Sequence, residues 1–72
     1  RLTGTPVGRM VRITDFGEEI DPLQREQLHA YGLSAAHAVK VLQQTPMTVL
    51  LCEHVELAIE HAVAHEIWAE PT

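Results

Sequence analysis

A chain of 72 residues buries only about 60% of the surface that its unfolded form exposes, which leaves one small core, one domain over 1–72, and little room for a catalytic cleft with its own supporting shell. Ten acidic side chains against five basic ones give a net charge of −5, and the bases form no cluster beyond the Arg9/Arg12 pair. That argues against a cationic phosphate-binding face, and nucleic acid is not an expected partner. Cys52 is the only cysteine, so an internal disulfide and a four-cysteine zinc site are both excluded.

The chain begins at Arg1 rather than Met, which reads as a trimmed product or a piece of a longer one, and no charged-then-apolar signal segment opens it. Residues 10–13 alternate Met10 and Arg12 with Val11 and Ile13, the period-2 pattern of a half-buried strand. Thr14, Asp15 and Phe16 can extend it before Gly17-Glu18-Glu19 ends it. Asp21-Pro22-Leu23-Gln24 then supplies an N-cap acceptor, a proline at the first helical position and a glutamine at the capping-box position. Leu23, Leu28 and Tyr31 form an apolar stripe, Gly32 suits the left-handed residue after a helix, and Leu33 can fold back on the last turn. The spacing predicts a helix over 22–31.

Beyond Gly32 the pattern divides. Ala35, Ala38, Val39 and Leu42 fit a helix capped by Ser34, whereas Val39 and Val41 alternating with Lys40 fit a strand, and Thr45-Pro46 ends either. Residues 47–52 are β-branched and apolar and short enough for a strand. The longest apolar run, 49–52, is far below the roughly 20 residues that span a bilayer. Val55, Ile59, Ala62 and Val63 fit a helix, while Leu57 and Ile59, with Glu56, Ala58 and Glu60 outward, fit a strand.

The order and spacing of these elements resemble the ferrous iron transport protein A (FeoA) family. The resemblance rests on Leu2, Gly8, Val11 and Ile13 for the opening Leu-x-x-Leu-x-x-Gly and Val-x-Ile pattern, with Thr5 at the second leucine. Leu28, Gly32 and Leu33 match its helix end and Val39 and Val41 its Val-x-Val strand. Pro46 precedes the next strand, and Leu57, Ile59, Ala64, Ile67 and Ala69 match its late segment. The register runs over nearly the whole chain, although each motif alone is only apolar patterning with glycines. The resemblance implies a mainly β fold, a small SH3-like, partly open five-stranded barrel with one helix inserted after the first strand. Strands then fall at 38–44, 47–53 and 55–60, with a helical turn near 61–64 and a last strand at 66–69. The family usually has glycine where this chain has Ala36 and His54. Those glycines sit at turns, so the loop at Ala36 is expected to take a different shape and His54 to occupy the left-handed position of a hairpin tip.

Chemistry-bearing residues are sparse. A Cys52–histidine dyad would need a stabilised thiolate, but Cys52 ends an apolar strand beside Glu53, and a small strand residue is the better reading. His61 and His65 are four apart with Glu60 adjacent, and His54 lies two from Cys52. These histidines are candidates for a weak Fe2+ or Zn2+ site, without any His-Glu-x-x-His or Cys-x-x-Cys spacing to support one. Solvated histidines on an acidic surface are the default. Inward Val49 and Leu51 would turn Leu50 outward, and inward Ile67 and Ala69 would turn Trp68 outward, making Leu50 and Trp68 candidates for partner binding unless the helix or the N-terminal segment covers them. Gly4 and Gly8 form no phosphate-binding loop.

The expectation is a non-enzymatic adaptor with no required cofactor and no membrane insertion of its own. A disulfide-free small domain suits a reducing compartment, in the simplest case the cytoplasm. By resemblance it acts on the ferrous iron permease FeoB, its GTPase domain included. The alternatives are the SH3-like C-terminal regulatory domain of a metal-dependent transcriptional repressor and a histidine-based divalent-metal-binding protein.

Overall fold

Five short strands and two helices follow one another in the order that the pattern allows, and the computed structural model describes all 72 residues. After a 3₁₀ turn at Leu2–Gly4 come β1 (Met10–Phe16), α1 (Pro22–Ala30), β2 (Ala38–Gln43), β3 (Thr48–Cys52), β4 (Val55–Ile59), α2 (His61–Ala64) and β5 (Ile67–Pro71). The strands form one antiparallel sheet in the order β4-β3-β2-β1-β5. It forms a small SH3-like barrel, left open because its two edge strands, β4 and β5, do not pair.

Local chemistry sets the bounds of α1. Asp21 Oδ1 accepts the Leu23 N–H at 2.9 Å, and Pro22 occupies the first turn, where its missing N–H leaves no bond unmade. At the other end Gly32 takes φ +96°. The Gly32 N–H bonds the His29 carbonyl and the Leu33 N–H the Leu28 carbonyl, both at 3.0 Å, the two bonds of a Schellman ending. Leu33, the residue that this ending turns inward, is fully buried. Gln24 makes no reciprocal capping bond and instead lines a groove beside the sheet.

The ambiguous stretches 38–43 and 55–59 are strands. Cross-strand pairing and burial of alternate side chains outweigh the helical spacing that the same residues permit. Thirteen apolar residues make the core, drawn from every element of the fold and including Leu2 of the 3₁₀ turn.

Three expectations are corrected. Leu50 does not face outward: it is fully buried, and β3 turns Thr48, Leu50 and Cys52 inward while Val49 and Leu51 are half-buried on the other face. Val41, also fully buried, lies directly opposite Leu50, and side chains directly opposite in a ladder share a face. A register irregularity between Val41 and Gln43 lets Val49 pair with Gln43 on the outer side. Burial of Thr48 is made tolerable by its hydroxyl, which donates to Gln44 Oε1 at 3.0 Å. Ala36 keeps the left-handed conformation of the glycine it replaces, at φ 73°, held where its N–H donates to the Ile13 carbonyl at 2.8 Å. At the β3–β4 hairpin the left-handed residue is Glu53, at φ 58°, and not His54. A positive φ at the first of two turn residues is the arrangement of a type II′ hairpin.

Candidate functional site

The two free edges of the sheet differ in how they are covered. On the β5 side, the N-terminal segment lies over α2 and β5. Gln44 Nε2 donates to the carbonyls of Leu2 and Thr5 at 3.0 and 2.8 Å, so one side chain ties the 3₁₀ turn to the β2–β3 corner and to Thr48. Arg1 places its guanidinium 4.6 Å from the centre of the Trp68 ring and donates to His65 Nε2. His65 Nδ1 lies 3.2 Å from Thr3 Oγ1. An imidazole that accepts at Nε2 carries its proton on Nδ1, so both ring nitrogens are engaged within the chain. Gly17 completes this side. Its N–H donates to the Glu66 carbonyl at 2.6 Å, and an added Cβ would lie 2.6 Å from Glu66 Oε2 and 3.0 Å from that carbonyl.

On the β4 side the inner face is only partly covered. Val55, Leu57 and Ile59 point inward, opposite Cys52, Leu50 and Thr48. Ile59 is buried, but Leu57 is only half-buried and Val55 is 46% exposed, although the three β3 residues that they face are all buried. Between α1 and β4 runs a groove of about 290 Å³ lined by Gln24, Gln27, Leu28, Met47, Leu57 and Glu60 among others. A second cleft of about 310 Å³ lies between the end of α1 and the β3–β4 hairpin, with His37, Cys52, Glu53 and Val55 in its wall. Tyr31, 57% exposed, borders both. The Cys52 thiol is pushed above its ordinary value by burial and, secondarily, by the Glu53 carboxylate, an environment that disfavours the thiolate a nucleophile needs.

The residues singled out in the sequence do not converge. Trp68 is exposed to 41% and faces outward on β5, under Arg1, while Leu50 is in the core. His54 stands exposed on the β3–β4 turn, His61 opens α2, and His65 is bonded to Arg1 and Thr3. No three His, Cys, Asp or Glu side chains come together where a metal ion could sit. No helix is long and apolar enough to cross a membrane. The groove-lining set (Gln24, Gln27, Tyr31, Leu57) escaped the sequence reading because it joins residues some thirty positions apart. Its only trace in the sequence is the inward apolar alternation of β4.

No protein-family model and no curated protein sequence matches the chain. Solved structures do. An FeoA protein from Chlorobium tepidum, known from its solution structure, superposes with a TM-score of 0.89 at 22% identity, over 99% of this chain and 69% of that one. The fold is that of the FeoA proteins. A crystal structure of an iron uptake regulatory protein, also FeoA, gives a TM-score of 0.82 at 17% identity, over 99% of this chain and 93% of that one. A manganese-dependent transcriptional repressor gives 0.86 at 16% identity, with all of this chain covering 41% of the repressor. The FeoA resemblance seen in the residue pattern and the SH3-like five-stranded architecture are thus both met in three dimensions.

Proposed function

We propose that this chain is a non-enzymatic adaptor of ferrous iron uptake that works by protein–protein contact with an FeoB-type permease, at its soluble GTPase domain. The observation that carries the reading is the structural match, over 99% of this chain, to FeoA proteins of which it accounts for 69% and 93%. Two features support it. Burial and the neighbouring Glu53 carboxylate disfavour the thiolate of Cys52, and the surface carries a partly covered apolar seam between α1 and β4 with Glu60 in its lining. In this reading the protein works in the cytoplasm, iron is cargo of the permease, and no metal need be held by His54, His61 or His65.

Calorimetric titration of the full chain with the soluble GTPase domain of its cognate permease tests this. Binding with a Kd of about 100 μM or tighter is expected, and absence of binding at roughly 1 mM overturns the reading. The likeness to the repressor favours a second reading, a regulatory module within a longer metal-dependent repressor. The length of the encoding gene separates the two: an open reading frame more than twice this length, with a DNA-reading segment ahead of it, supports the second.

A further inference from the structure

We infer that the open β4 edge, with the α1–β4 groove beneath it, binds an extended, positively charged segment of another protein as an added strand. The inference rests on the chain being a partner-binding protein but not on which protein the partner is.

The first ground is an unfilled edge. The two-residue turn makes Cys52 and Val55 a hydrogen-bonded pair, and antiparallel ladders alternate, so the N–H and C=O of Glu56 and Ala58 point away from β3. None of the backbone hydrogen bonds outside the regular elements uses those groups. They are free to pair with a further strand, and a strand placed there would lie over the exposed inner side of Val55 and Leu57 and against Tyr31.

The second ground is charge. Residues 1–40 hold all five basic side chains and five of the acidic ones. Residues 41–72 hold the other five acids and no Lys or Arg, so the whole net charge of −5 resides there. Glu53, Glu56 and Glu60, all exposed, flank or lie on β4, and the α1 wall of the groove offers uncharged Gln24, Gln27 and Tyr31.

These grounds together select the occupant. A second copy pairing β4 to β4 would bring this glutamate-rich edge against itself, and charged edges are how sheets avoid such pairing. An acidic segment meets the same repulsion. Residues opposite one another in a ladder share a face, so the added strand mirrors β4: apolar where it faces Val55, Leu57 and Ile59, and Lys or Arg where it faces Glu56 and the flanking Glu53 and Glu60. The ligand class is therefore a peptide alternating aliphatic and basic residues.

The test is an NMR titration of the isotope-labelled full chain with a blocked heptapeptide alternating lysine and valine, beside the same peptide with glutamate for lysine. The lysine peptide is expected to shift the amides of Glu56, Leu57, Ala58 and Tyr31. Its affinity should fall roughly tenfold between about 0.05 and 0.3 M salt. The exposed double substitution Glu56→Gln/Glu60→Gln should weaken it about 3- to 10-fold while leaving the rest of the spectrum in place. Any of four results overturns the inference: equal binding of the glutamate peptide, shifts centred on β5, concentration-dependent shifts of the same amides without peptide (the edge then belongs to a second copy), or no shift up to about 1 mM. The permease takes no part in this experiment, so its failure leaves the adaptor reading to its own titration. Peptide binding with a silent permease titration would retain the surface and discard that partner.

Discussion

β4 and β5 are the two edges of one sheet, and their inner residues follow the same apolar alternation, yet one edge is covered and the other is open. At β5 the N-terminal turn packs against the strand and α2, Arg1 lies over the outward Trp68 ring, and the inner Ile67 is fully buried. At β4 nothing lies over Val55, and Leu57 is only half-buried. Alternation tells which way a side chain points. Whether it becomes core depends on a second element arriving to cover it.

Substitutions can break this contrast or sharpen it. The largest effect is expected on β3. Leu50→Ala should lower the unfolding free energy by about 2–5 kcal/mol, as large-to-small changes do in a packed core. Leu57→Ala, opposite Leu50 in the ladder but half-buried at the open seam, should cost less than about 1.5 kcal/mol, because part of the lost area is already in water. Urea denaturation of the pair reads the difference, and equal losses would mean that the seam is covered after all.

Next comes Gln44→Ala, which leaves the Thr48 hydroxyl and two carbonyls without their shared partner and should cost about 1–3 kcal/mol. Loss of hydrogen-exchange protection at the Gly4 and Thr5 amides, which donate to the Arg1 and Leu2 carbonyls, would show that the N-terminal turn has come free. Trp68→Ala removes a ring stacked under Arg1 on an exposed face, with an expected cost of about 0.5–1 kcal/mol in the same denaturation series.

The smallest effect concerns Cys52. Folding holds its proton more tightly than the unfolded chain does, so its thiol contributes no pH dependence at neutral pH. It makes the fold lose stability as pH rises past the ordinary thiol value of 9.0. The stability difference between the native chain and Cys52→Ala should therefore shrink in alkaline urea titrations. A difference that stays constant through that range would contradict the burial of the thiol.

What was legible in the sequence was what local chemistry decides. Asp21-Pro22 and Gly32-Leu33 mark the ends of α1 because caps are made by residues next to the helix, and the strand at 10–13 shows a clean alternation. The face of β3 was not legible. Val49, Leu50 and Leu51 are all apolar, and the choice between faces falls to Val41 across the ladder and to Gln44, which makes a buried Thr48 acceptable. The left-handed turns at Ala36 and Glu53 were likewise illegible, since neither residue favours that region and only the ladders on either side hold them there. The open seam was hidden for a related reason: an apolar residue on β4 carries no mark of whether α1 will reach it.

The measurement that bears most directly on the account is an NMR titration of the labelled chain with the soluble GTPase domain of its cognate permease, at fixed salt and with chelator present. Shifts are expected to gather on Glu56, Leu57, Ala58 and Tyr31, weakened by salt and by the Glu56→Gln/Glu60→Gln double substitution. Shifts centred on Trp68 and β5, or a flat titration, would contradict it.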